Sequence, residues 1–264
     1  MSYQLNELEE KNLKDIKNAY YMAPVIKKLD SYLDINSEQS YLQAFNKVYE
    51  ILTSSKNDVE AIIQQRKDSG KIKDVKQASK SVVGNIFPRC IIYLFLQNKL
   101  IGNIQSNIFI TSKPKQVQGF DEISVIKMGS EDTQKPDCDL IIYAYKQKIN
   151  KEQQQLKKCI ILSLKTSMRE RAAQTYKWKL LLEIANDENS KVREKYDIRY
   201  DVEKTPLICF VTVNFYNEIN NPQQRGMLKF FDRAFLAKEL SSPSDFIRPM
   251  SDIVDFVNAE LGEV

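Results

Sequence analysis

Helical spacing of apolar residues dominates the first 75 residues of the chain. Leu5, Leu8, Leu13 and Ile16 recur at roughly helical intervals, and residues 42–52 continue the pattern. No long Pro-, Gly- or Ser-rich linker follows this part of the chain. We therefore expect a helical N-terminal region over residues 1–75 that packs on the remainder of the protein.

The next segment, residues 76–98, is apolar on most faces of a helix, which predicts a deeply buried helix. Pro88 lies within it and is expected to kink or interrupt it, because proline cannot donate the helical hydrogen bond.

The pattern changes to strands from about residue 135. Strands are predicted at residues 139–143, 159–165 and 206–215, and residues 144–158 form a polar hairpin tip. Amphipathic helices are predicted at residues 167–186 and 225–240. This order predicts an α/β fold, with a mixed central sheet flanked by helices. Residues 76–264 would form one domain, in one compact unit with the N-terminal region.

The 264 residues contain no histidine, which excludes hydrolases and metalloproteases that need an imidazole. The four cysteines form no CxxC pair, so we expect core thiols rather than a zinc site.

The seven glycines form no phosphate-binding loop, and no apolar run reaches roughly 18 residues. We expect a cytoplasmic protein that binds neither a nucleotide cofactor nor a membrane. The net charge of +4 is weak evidence for nucleic acid.

Two predicted strands carry the candidate chemistry. Asp137 and Asp139 share one face of a strand, as do Ser163 and Lys165, because residues two apart point the same way. If these strands pair as a hairpin, two carboxylates meet an ammonium at a sheet edge. Carboxylates suit Mg²⁺, and a neighbouring lysine can orient water and stabilise charge on a phosphate. The alternative is that these residues form no metal site, and are only a surface aspartate beside a turn and a lysine that ends a strand.

The residues after Lys165 strengthen the functional interpretation. Ser167 and Glu170 form a capping box, which predicts a helix from about residue 168. Arg169 and Arg171 lie in its first turn, where the helix dipole disfavours cations, so we expect them to face an anion. Arginine also reads guanine and glutamate can accept from cytosine, although Glu170 could serve only as a cap.

This combination resembles the type II restriction endonucleases of the PD-(D/E)xK superfamily, in particular the group that cuts CCGG or CCNGG sites. The resemblance covers residues 85–240, and its specific part is residues 136–174. It implies metal binding by Asp137, with Asp139 as the alternative main ligand. Ser163 replaces the usual acid, Lys165 is the catalytic lysine, and the base-reading residues are Arg169, Glu170, Arg171 and Gln174.

This chain differs from that group in the acidic residue that completes the metal site. The group supplies it from the following helix, where this chain has Trp178 and Lys179. Glu183 and Glu170 are the nearest substitutes, on different helix faces. Which acid completes the site stays open.

We therefore expect a Mg²⁺-dependent type II restriction endonuclease. It would cut double-stranded DNA at a short palindromic, G/C-containing site, leave 5′-phosphates and act as a homodimer. The alternative is a non-catalytic DNA-binding or adaptor protein with a degenerate nuclease fold. The lysine-rich stretch 66–80 would contact phosphates or form only a solvated face.

Overall fold

A mixed β-sheet lies at the centre of the protein. The computed structural model describes residues 4–145, 156–167, 172–202, 205–240 and 246–262, without the side chains of residues 172–175. Its strands are β1 (Ile108–Thr111), β2 (Ile126–Met128), β3 (Asp132–Gln134), β4 (Leu140–Tyr145), β5 (Leu156–Lys165), β6 (Ile198–Arg199), β7 (Leu207–Thr212), β8 (Arg233–Leu236) and β9 (Ile247–Pro249).

The described part of the main sheet has the order β1-β4-β5-β7-β8-β9. β1, β4 and β5 are antiparallel neighbours, whereas β5, β7, β8 and β9 run parallel. A small sheet of order β3-β2-β6 lies beside it. The carboxyl ends of the parallel strands therefore meet at one edge, which is where α/β sheets usually bind ligands.

Helices cover both faces of this sheet. The helices are α1 (Glu7–Asn18), α2 (Ala23–Asp30), α3 (Glu38–Gln43), α4 (Val48–Ser54), α5 (Lys56–Asp68), α6 (Val75–Leu100), α7 (Phe120–Ile123), α8 (Ala172–Asn186), α9 (Lys191–Tyr196), α10 (Pro222–Met227) and α11 (Ile253–Leu261). The predicted α/β architecture, a mixed sheet flanked by helices with a helical N-terminal part, is confirmed.

Alternation along β4 and β5 divides the core into two layers. Even-numbered residues such as Ile142 and Leu162 pack with the N-terminal helices, α6 and α11. Odd-numbered residues such as Tyr143 and Ile161 pack with Trp178 and other residues of α8. A strand presents alternate side chains to opposite faces, so the chain buries both faces of these strands.

The buried helix α6 runs without interruption through Pro88. The predicted helix is confirmed, but Pro88 does not interrupt it. Proline costs a helix interior about 3 kcal/mol. Burial of the apolar side chains of residues 90–96 on all sides of the helix offsets that cost.

A buried ion pair ties the N-terminal region to α6 and β1. Lys99 Nζ donates to both carboxylate oxygens of Glu9, at 3.0 and 2.9 Å, and to the carbonyl of Ile108 at 2.6 Å. Both charged side chains are fully buried. Helix α1 is therefore held by polar contacts within the core as well as by apolar packing.

The predicted helix at residues 225–240 is wrong. Helix α10 ends at Met227, a short 3₁₀ turn follows, and residues 233–236 form strand β8 beside β7. Asp232 starts this strand, because its amide donates to the carbonyl of Ile208 and its carboxylate accepts from the Ile208 amide. Pairing with a buried strand overrides the helical spacing of this segment.

Two sequence predictions reach residues outside the described ranges. The polar hairpin tip falls largely on residues 146–155, and the predicted helix start falls on residues 168–171. The described part of β5 already begins at Leu156, earlier than predicted. None of the described helices is both long and apolar enough to cross a membrane.

Candidate active site

The hairpin predicted from the sequence is present in β4 and β5. Its register pairs Leu140 with Leu162 and Ile141 with Ile161. Asp137 and Asp139 precede β4, and the Asp139 amide donates to the carbonyl of Leu162 at 3.2 Å, one residue out of this register. The regular ladder therefore ends at Leu140, and the two aspartates reach the end of β5 from the irregular segment just before β4.

Lys165 joins the two carboxylates. Its Nζ lies 2.8 Å from Asp137 Oδ2 and 2.8 Å from Asp139 Oδ2. The Lys165 side chain is only 8% exposed, whereas Asp139 is 27% and Asp137 48% exposed. The carboxylates therefore face solvent and the ammonium lies behind them, at the edge of the sheet.

The backbone of β5 fixes one of the two acids. The amide of Leu164 donates to Asp139 Oδ2 at 2.7 Å, in addition to the bond from Lys165. Asp139 is thus held by two donors from neighbouring residues of one strand. The sequence alternation predicted the shared face but gave no signal for this amide contact.

The electrostatics of the cluster keep Lys165 charged. Burial lowers the pKa of the Lys165 ammonium, but hydrogen bonds and the negative charges of Asp137 and Asp139 outweigh it and leave that pKa raised. The ammonium is therefore a permanent positive charge at neutral pH. Ser163, on the same face, is fully buried.

Two exposed carboxylates side by side have the chemistry of a divalent-cation site. Mg²⁺ is commonly bound through one or two carboxylates and completes its shell with water and substrate phosphate. In the part of the chain that the structure describes, no three acidic, cysteine or histidine side chains are grouped so that they could hold a metal ion by themselves. Asp137 and Asp139 therefore fit a magnesium ion that takes further ligands from substrate and solvent.

The described contacts of Glu183 are with Lys179 and not with the cluster. Glu183 Oε1 lies 3.4 Å from Lys179 Nζ, which in turn lies 2.8 Å from Asp232 Oδ1. Asp232 is bonded to Ile208, which pairs with Ile161 four residues before Lys165. Four residues of strand measure about 13 Å. Glu183 thus belongs to an ion-pair group with Lys179 and Asp232, and its place as a metal ligand stays a prediction.

The other sequence-predicted residues lie outside what the structure describes. Arg169, Glu170 and Arg171 fall in the undescribed residues 168–171, and Gln174 lies in α8 without a described side chain. Trp178, at a position where the resembled group carries its acid, is buried and packs in the core beneath α8.

A cavity that sequence reasoning missed opens beside the end of β5. It has a volume of about 430 Å³ and is lined by Thr166, Ser167 and Phe215 on one side. Helices α4, α5 and α6 form its other side, and Ser55 Oγ there is buried with no partner among the described residues. These walls come from segments 80 or more residues apart, and no local pattern could predict their meeting.

A comparison with protein families identifies the chain. Residues 110–256 match the sequence model of the family described as BsaWI restriction endonuclease type 2, which is more than half of the chain. The chain belongs to the BsaWI restriction endonuclease type 2 family. A search of curated proteins finds no match.

Membership of the BsaWI family makes the protein a type II site-specific deoxyribonuclease, with DNA as its substrate. The matched residues include Asp137, Asp139 and Lys165, together with most of the main sheet. Helices α1 to α6 lie outside the match. The cluster at the end of β5 is therefore the candidate active site of this nuclease.

Proposed function

We propose that this restriction endonuclease hydrolyses double-stranded DNA with Mg²⁺ at a short palindromic, G/C-containing site and leaves 5′-phosphates. One observation carries the proposal. The Lys165 ammonium lies 2.8 Å from each of two solvent-facing carboxylates, Asp137 and Asp139, in a chain of the BsaWI family. The family supports DNA cleavage, and the chemistry of these side chains supports the metal and the products.

Asp137 and Asp139 would hold the magnesium ion. When bound, the ion supplies positive charge that stabilises the phosphate oxygens during in-line displacement. The Leu164 amide keeps Asp139 in a fixed orientation for this task. The structure leaves the main ligand open, since Asp139 is the better anchored of the two and Asp137 the more exposed.

Lys165 would position the attacking water and offset negative charge on the phosphate. A water oxygen forms the new bond to phosphorus, and the bond between phosphorus and the 3′ oxygen breaks. The products are a 5′-phosphate and a 3′-hydroxyl, and the water gives up one proton while the 3′ oxygen gains one. Fixed charges that are in place before the reaction are worth most in such a step.

Sequence reading is assigned to the start of the helix that follows β5. Arg169 and Arg171 carry the donors that pair with guanine, and Glu170 the acceptor for cytosine N4. Gln174 lies about one helical turn further on. These residues follow Lys165 closely along the chain, so base reading and cleavage would occur on one segment of DNA.

A palindromic site requires a matching symmetry in the protein. We propose a homodimer in which each subunit cuts one strand. Within each subunit, residues 1–75 form the helical N-terminal region and residues 76–264 the nuclease domain, in one compact unit.

Digestion of phage DNA tests the proposal. The purified protein is incubated with methylated and unmethylated DNA, once with Mg²⁺ and once with EDTA. Discrete fragments with Mg²⁺ alone, ending in 5′-phosphates, are the expected result, and their ends give the recognition site. Binding of DNA without cutting in either condition would instead support the non-catalytic alternative.

A further inference from the structure

An unpaired row of lysines lies at the start of α6. We call Lys71, Lys73, Lys76 and Lys80 the lysine ridge; all four are exposed. Asp74 is the only acidic residue between positions 71 and 80, and its carboxylate accepts from the Gln77 amide at 3.0 Å as the cap of α6. The segment therefore carries a net charge of +3, four lysines less one aspartate.

The ridge has no counter-charge among the described residues. No ridge lysine forms an ion pair there, whereas Lys28, Lys127 and Lys135 each hold an aspartate within 2.9 Å. Lys76 and Lys80 are four residues apart on one helix, so their charges repel each other. Such an arrangement favours binding of an external anion.

The ridge borders the edge of the sheet that carries the active site. Ser79 and Val83 of α6 line the 430 Å³ cavity together with Thr166 and Ser167, which directly follow Lys165. Residues three and four apart are neighbours on a helix surface, so Lys76 and Lys80 flank Ser79 and Val83 at this cavity. Val83 itself is 54% exposed.

We infer that the lysine ridge binds the sugar–phosphate backbone of duplex DNA next to the site of cleavage. The inference rests on the proposed function, since it takes DNA to lie across the carboxyl edge of the sheet. The N-terminal helices then form one wall of the DNA cleft.

The dimensions of the ridge fit a DNA strand. Lys76 and Lys80 lie within α6, and the helix rises about 6 Å from one to the other, at 1.5 Å per residue. One DNA strand carries one phosphate per roughly 3.4 Å of helix axis. These two lysines are therefore about two nucleotides apart, so each can meet a different phosphate of one strand.

Charge removal with a matched control tests the ridge. The ridge variant is Lys73→Gln/Lys76→Gln/Lys80→Gln. The control variant is Lys11→Gln/Lys14→Gln/Lys17→Gln, which removes three exposed lysines from α1. Helix α1 lies by Leu100, at the far end of α6 and roughly 30 Å along that helix from the ridge. Both variants lose the same net charge.

The measurement is the dissociation constant for a random-sequence 30-base-pair duplex, in EDTA, over a series of salt concentrations. Phosphate contacts do not depend on sequence, so an unknown recognition site does not limit the experiment. The slope of log K against log salt is negative, and we expect it to become shallower by about 2.7 in the ridge variant, or about 0.9 for each lost contact. The control variant should keep the wild-type slope.

A third variant separates charge from shape. Lys73→Arg/Lys76→Arg/Lys80→Arg keeps the charges and should keep the wild-type slope. If the ridge and control variants have equal slopes and the wild-type protein binds and cuts DNA, the inference that the ridge binds DNA is wrong. The proposed function would then stand. Failure of the wild-type protein to bind any duplex would overturn the proposed function together with the ridge.

Discussion

Lys165 Nζ and Asp139 Oδ2 lie 2.8 Å apart across strands β4 and β5, and the same oxygen accepts the amide of Leu164 at 2.7 Å. One strand therefore supplies both the Lys165 ammonium and the donor that orients its carboxylate partner. A shift of the register by one residue would place Lys165 on the opposite face of the sheet. The pairing of β4 and β5 is thus a condition for the site as well as for the fold.

Lys165→Ala should slow cleavage strongly and preserve DNA binding. Loss of a fixed charge or donor at the reacting phosphate lowers the rate by about 10²–10³-fold. Single-turnover cleavage with saturating enzyme measures the rate, and a gel-shift assay in EDTA measures binding. Lys157→Ala, a change near the other end of β5, is the matched control and should cut at the wild-type rate. A Lys165→Ala enzyme with an unchanged rate would remove Lys165 from the mechanism.

Asp139→Asn and Asp137→Asn should both raise the Mg²⁺ concentration needed for half-maximal cleavage. An amide is a weaker ligand for Mg²⁺ than a carboxylate, and Asp139 is anchored by the backbone, so we expect the larger effect at Asp139. Cleavage rates across a magnesium titration give the comparison.

Asp121→Asn is the control for these changes, because Asp121 is exposed and pairs with Lys135 instead. The reverse order of effects would make Asp137 the main ligand. Equal Mg²⁺ requirements in wild-type protein and both variants would exclude these aspartates as ligands.

Simple alternation predicted that Asp137, Asp139 and Lys165 meet, and the structure brings them together. It did not predict how they meet, because the two aspartates lie in an irregular segment before β4 and not on a regular strand. The contacts of Glu183 could not be predicted, because they depend on Lys179 and Asp232, which meet only in the folded chain. Strand β8 was missed for a similar reason: parallel pairing with β7, a non-local interaction, decides its conformation.

Glu183→Gln should leave cleavage within about two-fold of wild type. Its carboxylate lies by Lys179, which keeps a second partner in Asp232, so little is lost when the charge is removed. Glu170→Gln, compared under the same conditions, should slow cleavage if Glu170 completes the metal site. The pair of variants decides between the two acids that the sequence left open. A strong loss in Glu183→Gln alone would return Glu183 to the active site.

Lys99→Met should destabilise the protein by about 3–5 kcal/mol, because it leaves the buried Glu9 without its counter-charge. Burial raises the pKa of Glu9, and Lys99 opposes that shift. In the variant the raised pKa rises further, so the folded state binds a proton more readily than the unfolded state. Its stability should therefore fall as pH rises above the ordinary range for a carboxyl group.

Urea unfolding monitored by circular dichroism from pH 5 to pH 8 measures both effects. Lys113→Met removes one side of the exposed pair with Asp15 and should cost less than about 1 kcal/mol. Glu9→Leu/Lys99→Met removes both buried charges and should be more stable than Lys99→Met alone, since an unpaired buried charge is worse than none. A Lys99→Met protein with wild-type stability at pH 8 would show that this ion pair does not hold α1 to the core.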